Sequence, residues 1–519
     1  MKCKGYEMKY KHQLILATIG LTNVVLHLLP GLNFEYHRDE LLYLSFADHL
    51  DFGYVTSPPM IGFMAFISKS IFGYSVFSIR FIPALFSGLL VYLTSMVAKE
   101  LSGNFRSQLI SAIGVVGSMF LVMIYGVFTP YYIDIFFWTL VIYLLIKYVK
   151  TKSGNYLIAL GIVIGFSFLN RYSIIFFIVS ALVVLPFTKY RYIFLDRFLY
   201  WALLLSALIS SPNVIWQMYH HLPVINHMKA LNESQLVHVN RLDFIMEQLI
   251  LLLPFTFIIL PGIIFFLINK QLKDFRFLLS ISAAVLMLFL IFRGKSFYAS
   301  GLYPFFIVIG SLFIEKVFVN RYIFSTVLIL LIIMSVLLLP LNLPVLKPQQ
   351  MIAYFDGFAK ITGVDLLRKD EDGNYRKLPQ INADMLGWNE ITEKTNKAWS
   401  MVEDKNKCFI FCANYGQAGA INIIGKKYGL PEPISFSETF RLWLPRKFET
   451  DIEEIIYVVG ADAMNSGNFM DTKEFFQEMI EIGQVDNRLA IEYNTKVYLF
   501  RIPKSNFNKF WKGQINGYY

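Results

Sequence analysis

Three observations predict a polytopic α-helical membrane protein that ends in a small α/β domain. Of 519 residues, 56% are apolar and only 16% charged, against about 25% charged in an average soluble protein. Apolar runs long enough to cross a bilayer recur through the first 340 residues. After Pro340 the chain turns polar and keeps only apolar bursts of strand length.

A crossing helix needs roughly 20 apolar residues, somewhat fewer with snorkelling flanks. Eleven segments qualify: 13–30, 81–98, 108–128, 131–146, 155–170, 172–187, 198–216, 249–268, 277–292, 299–314 and 322–341. The first follows Lys2, Lys4, Lys9 and Lys11 as a signal peptide would, but no small-x-small cleavage site comes after it. It is expected to remain as an uncleaved span. Threading the loops alternately puts seventeen Lys and Arg on the side of the N-terminus and eight on the other. The excess predicts a cytoplasmic N-terminus in the inner membrane, and an odd number of spans then carries the C-terminal part outside.

Residues 1–345 therefore read as a transmembrane domain and 346–519 as an extracytoplasmic α/β domain. Within the latter, 408–413, 455–459 and 496–501 read as short strands, with helix-like patterns at 382–399 and 472–483. Cys408 and Cys412 fall in the first strand, where roughly 13 Å would separate their Cα atoms, too far for a disulfide. They read as small buried hydrophobes. Three Cys in the chain exclude a disulfide scaffold. The net charge of +10 comes as short basic clusters between apolar runs. That pattern suits a membrane partner and no nucleic acid.

The first outer loop, 31–80, concentrates Glu35, Asp39, Glu40, Asp48 and Asp51. Its stretch 39–50 has the pattern of an amphipathic helix lying in the interface, and 61–73 of a second one after Pro58 and Pro59. Asp39 and Glu40 stand at a helix start, where the dipole favours acids, so capping is their plain explanation. Asp134, just inside the outer end of a span, is costly at membrane depth and reads either as a site acid or as one half of a structural pair. On this topology it and the loop acids face one side and are expected to share an outward site. Arg80, Arg171 and Lys295 lie on the same disfavoured side. Each suits an anionic lipid phosphate, and each has a snorkelling or ion-pair explanation. Six of the eight His, His221 among them, fall in outer loops. A divalent metal held by some of these with a carboxylate stays open, although no HxH or HExxH spacing is present, and no cofactor is certain.

Taken in order, these segments resemble bacterial family-39 glycosyltransferases, related to the protein mannosyltransferases and aminoarabinose transferases of the GT-C fold. The resemblance runs through HRDELLYLSFADHLDFGYVTSPPMIGF (37–63), RFIPALFSGLLVYLT (80–94), YYIDIFFWTL (131–140) and GFSFLNRYSIIF (165–176). It continues through SPNVIWQMYHHLPVINH (211–227), GKSFYASGLYP (294–304) and ANYGQAGAINIIGKKYGLP (413–431). Arg171 departs from it, since a Lys is commoner there.

The resemblance implies a polyprenyl-phosphate-linked sugar donor and inverting transfer, at the outer membrane face, to a hydroxyl of a protein, lipid or glycan. It maps the leading acid onto Asp39 as general base, with Glu40 beside it and Asp134 as the alternative base or acceptor-orienting group. Lys295, Arg171 and Arg80 would bind the donor phosphate; Tyr43, Tyr298 and His221 complete the candidate set. Two rivals remain at this point: a lipid or polysaccharide transporter, and a non-catalytic envelope scaffold. A transporter would place charges near the midplane of several spans, whereas here the spans are nearly free of charge.

Overall fold

All eleven apolar runs are helical in the computed structural model, which describes residues 2–234, 236–363, 365–370 and 374–516. Seven of the helices are long and apolar enough to cross a membrane among the described residues, from Tyr10–Leu32 to Arg321–Asn342. Three further runs are bent. Phe105–Gly117 and Met119–Tyr125 meet at 60°, Ile174–Phe187 and Lys189–Leu195 at 115°, and Arg241–Leu251 and Thr256–Ile268 at 101°. The straight crossings expected at 108–128 and 249–268 are thus broken. Ser118 is extended in the first, and Pro254, which has no N–H to donate, stands in the break of the second. The run at 155–170 is the helix Gly154–Asn170, of 17 residues.

The chain forms two units, one of Met1–Pro30, Asp51–Met64 and Arg80–Val345, the other of Gly31–Leu50, Ala65–Ile79 and Leu346–Tyr519. Much of the first outer loop, which the sequence leaves with the spans, therefore clusters with the C-terminal part.

In the first unit, the basic connections between spans meet one another in a polar layer. Glu100 accepts from Lys147 Nζ (3.2 Å) and Lys150 Nζ (2.7 Å), and Asp196 accepts from Tyr148 (2.7 Å). Lys189 pairs with Asp274, and Glu315 accepts the Asn104 backbone N–H at 2.7 Å. Asn104, Asp196, Asn269 and Asn320 cap the helices that leave this layer by accepting the N–H two residues on.

The second unit begins with helix α1 (Arg38–Phe46) and takes in most of α2 (Met60–Phe72), which exposes Phe63, Phe66 and Ile71. Helix α3 (Pro348–Thr362) leads to α4 (Trp388–Met401), strand β1 (Cys408–Cys412) and α5 (Tyr415–Ile423). Strand β2 (Glu454–Val459), helix α6 (Gly467–Phe475), strands β3 (Phe476–Gln484) and β4 (Lys496–Pro503) and helix α7 (Phe507–Ile515) complete it. The sheet order is β1-β2-β4-β3; β1 runs parallel to β2, and β4 is antiparallel to both β2 and β3. Phe409, Phe411, Tyr457 and Phe500 on one face form a core with Phe507 and Trp511 of α7. Cys408 and Cys412 are buried in β1 and not bridged; burial pushes the Cys408 thiol up to about 12.

Two local expectations are corrected. The pattern at 472–483 reads as a helix because Phe475, Phe476, Met479 and Ile480 recur at helical spacing, but only its start is helical. From Phe476 the chain is an edge strand paired with β4, where Glu481 accepts from Lys496 (2.9 Å) and Tyr498 (3.3 Å). Cross-strand pairing overrides the local period. The helix expected over 382–399 begins only at Trp388, after Gly387 turns the chain at φ +92°.

Helix α1 packs on α5. A Cβ on Gly416 would lie 2.7 Å from Arg38 Cγ, and one on Gly419 would lie 2.8 Å from Leu41 Cβ and 2.9 Å from the Leu41 carbonyl carbon. The small residues of ANYGQAGA thus let the two helices approach closely, which positions the acids of α1.

Candidate functional site

The adjacent acids of α1 have different surroundings. Glu40 is fully buried, and its Oε2 accepts the backbone N–H of His37 at 2.8 Å while His37 Nδ1 accepts that of Asp39 at 3.1 Å. This reciprocal cap commits Glu40 to the start of the helix. Asp39 is half-buried, and its Oδ1 accepts a hydrogen bond from the Tyr415 hydroxyl at 2.9 Å. Arg38 lies over the Tyr415 ring, 5.3 Å from its centroid, and 3.8 Å from Asp384 Oδ2. Burial first, and then the Asp39 carboxylate, hold the Tyr415 hydroxyl well above its ordinary range, so it stays a proton donor. Glu438, at φ +51°, is shifted upward by burial and by Asp39, against the pull of Arg441 and Arg38.

The other loop acids are anchored by the same unit. Glu35 accepts the N–H groups of Trp388 (2.7 Å) and Asn389 (3.1 Å), which places a carboxylate on the N-terminus of α4. Asp48 accepts from Lys426 (2.7 Å), Tyr74 (2.7 Å) and Lys69. Burial would raise its carboxyl, but these donors outweigh burial and hold it below the usual range. His49 pairs with Glu432 and stacks on Trp443 at 4.1 Å. Tyr43 is half-buried, edge-on to Phe46 at 5.6 Å.

In the first unit the sequence-predicted residues Asp134, Arg171 and Tyr298 come together. Asp134 is wholly buried and accepts from Ser173 Oγ through both oxygens at 2.9 Å. Its Oδ2 lies 3.6 Å from Arg171 Nη1. Arg171 also donates from Nη2 to the Tyr131 hydroxyl (2.7 Å), with its guanidinium 3.8 Å from the Tyr131 ring centroid and 4.9 Å from that of Tyr298. Lys295 is half-buried with Nζ 5.8 Å from the Phe297 ring, and Arg80 is 1% exposed. His221 is exposed, in left-handed backbone at φ +59°. His220 accompanies Trp216 instead, with Nδ1 2.9 Å from its carbonyl oxygen. No cluster of three or more His, Cys, Asp or Glu suited to a metal occurs among the described residues, and the side chain of His238 lies outside them.

Sequence reasoning missed Tyr415, Arg38, Ser173 and Tyr131 as neighbours of the key acids. Arg38 and Tyr131 stand beside or near those acids in sequence. Tyr415 lies in a stretch already singled out, but nothing local ties it to Asp39.

Residues 56–216 match the family model described as dolichyl-phosphate-mannose-protein mannosyltransferase. A lipid A galacturonosyltransferase, RgtD, from Rhizobium johnstonii is 22% identical over 259 residues, which are 47% of this chain and 52% of that protein. The chain thus spans about half the length of the curated relative it matches. The crystal structure of ArnT from Cupriavidus metallidurans bound to undecaprenyl phosphate superimposes with a TM-score of 0.59 at 10% identity, covering 93% of this chain and 97% of that one. The apo form of the same protein gives 0.58 at 10% identity, covering 96% and 98%. The chain has the fold of these structures.

Proposed function

We propose that this chain is a GT-C-type membrane glycosyltransferase that moves a sugar from a polyprenyl-phosphate-linked donor to a hydroxyl acceptor. The family match and the fold shared with a protein crystallised with undecaprenyl phosphate support the donor class. The observation that carries the mechanism is the division between neighbouring acids. Glu40 is closed into a helix cap, whereas Asp39 is half-buried and held through Oδ1 by Tyr415.

Asp39 is the general base. It takes the proton of the acceptor hydroxyl as that oxygen attacks the anomeric carbon. The bond from that carbon to the phosphate oxygen breaks, and polyprenyl phosphate leaves with the bonding pair; attack from the opposite face inverts the centre. A phosphate leaving group needs little acid help and more positive charge. Lys295 and Arg171 supply it, with Arg80 as the more buried candidate. Asp134, engaged by Ser173 and Arg171, orients that arginine rather than acting as base. The charge bias of the loops supports transfer at the outer face of the cytoplasmic membrane, with the C-terminal part outside. The acceptor is a protein, lipid or glycan hydroxyl, and the lipid A specificity of the curated relative makes lipid A the first to try.

The test is reconstitution of the full chain in liposomes with radiolabelled undecaprenyl-phosphate-linked sugars and lipid A, protein and glycan acceptors. Label should move to one acceptor class, and Lys295→Ala should slow transfer or raise the donor KM by roughly tenfold to a hundredfold. Absence of transfer from every such donor, with folded protein, would contradict the proposal.

A further inference from the structure

We infer that Tyr415 is a positioning residue for the reaction, holding the Asp39 carboxylate turned so that one oxygen is left for the acceptor's proton. This rests on the reading of Asp39 as base. The Tyr415 hydroxyl donates to Asp39 Oδ1 at 2.9 Å from 376 residues away along the chain. Its own position is tightly set. It opens helix α5 directly after the cap residue Asn414, whose Nδ2 is anchored to Glu492 Oε1 at 2.9 Å. Gly416 beside it has no room for a side chain between Arg38 and Trp388, and Arg38 lies over the phenol ring. These contacts hold the phenol beside the carboxylate.

The charges around this pair make the donor matter. From α1 itself come Arg38 and His37. The turn before α4 brings Asp384, the segment after β1 and α5 brings Glu438 with Arg441, and the turn before β4 brings Glu492. Three carboxylates, two arginines and a histidine therefore surround the pair, and with so many competing charges a fixed hydrogen bond is what sets the direction of the Asp39 carboxylate. A hydrogen bond donated to one carboxylate oxygen fixes the direction of the group. Tyr415 supplies such a bond and occupies Oδ1, so proton transfer falls to Oδ2. A segment remote in sequence thereby sets the readiness of the base, a role distinct from choosing the acceptor.

The test uses the full chain in lipid nanodiscs with 3-fluorotyrosine at position 415. Its fluorine resonance at neutral pH should shift on Asp39→Asn, because the hydroxyl then loses its carboxylate acceptor. The transfer assay with labelled undecaprenyl-phosphate-linked sugars separates kcat from the KM values of donor and acceptor. Tyr415→Phe keeps the ring under Arg38 but removes the donor, so kcat should fall about tenfold while the KM values for donor and acceptor stay unchanged. A purely structural role would lower the unfolding midpoint and leave kcat per folded enzyme unchanged. A fluorine resonance indifferent to Asp39→Asn, or an unchanged kcat in Tyr415→Phe while Asp39→Asn is inactive, overturns this inference alone. Near-normal transfer by Asp39→Asn removes the base assignment and the inference with it.

Discussion

Arg171 holds its guanidinium 3.6 Å from Asp134 and against the face of Tyr131, so that a wholly buried carboxylate and a basic residue at a helix junction form one fixed group. Ser173 satisfies both oxygens of the same carboxylate, and Asn170, next to Arg171, donates to the Pro130 carbonyl at 2.9 Å. The two ends of this junction are thereby tied to the start of the Tyr131–Thr151 helix. A donor phosphate would meet an arginine whose direction is already set.

Asp134→Ala should leave the arginine and Ser173 without their acceptor and destabilise the chain by about 3–5 kcal/mol. Asp134→Asn should cost less, because it still accepts from Ser173. Arg171→Lys keeps the charge but loses the planar contact with Tyr131 and should fall between wild type and Asp134→Ala. Thermal unfolding in detergent gives the order; a wild-type midpoint for Asp134→Ala would show that the pair holds nothing together.

Glu40→Gln retains an oxygen that can accept from the His37 N–H and should lower stability by only about 0.5–1 kcal/mol, whereas Glu40→Ala should lose about 1–2 kcal/mol. Transfer should fall less than tenfold in Glu40→Gln. Unfolding midpoints and transfer rates for both variants check this. A Glu40→Gln enzyme as inactive as Asp39→Asn would place Glu40 in the chemistry instead of the cap.

What could be read from the sequence divides along the range of the interactions. Apolar runs report directly on helices, so every expected span is helical, and the strands around Cys408, Ile455 and Tyr498 stand out by their branched and aromatic residues. Breaks such as those at Ser118 and Pro254 depend on neighbours and escape a hydropathy window. The edge strand at 476–484 escapes for the same reason, since its pairing with β4 is not written in its own period. At the candidate site, Asp39, Asp134 and Arg171 were legible because charge is rare near a membrane. The separation of Asp39 from Glu40 was not, because it depends on a cap closed by His37 and on Tyr415, which only folding brings to α1.

Acid should weaken the second unit partly through Asp48. Its carboxyl lies below the usual range in the folded chain, because the donors Lys426, Lys69 and Tyr74 outweigh its burial. The stability it contributes is fully present above its unfolded value of about 3.9 and is lost as pH falls through the lower folded value. The difference in unfolding free energy between wild type and Asp48→Asn should therefore shrink on acidification below about pH 4. Denaturant unfolding followed by tryptophan fluorescence at several pH values measures it. A difference that stays constant would mean that Asp48 is not held by these donors.

The most direct measurement of the central claim is the transfer rate of Asp39→Asn in liposomes with a labelled undecaprenyl-phosphate-linked sugar. Asn keeps the size of the side chain and can still accept from Tyr415, but it cannot take a proton at neutral pH. With Asp39 as general base, transfer should fall about 10²–10⁴-fold while donor binding and the unfolding midpoint stay near wild type. Near-normal transfer by Asp39→Asn, with Asp134→Asn folded but inactive, would contradict the account and move the base to Asp134.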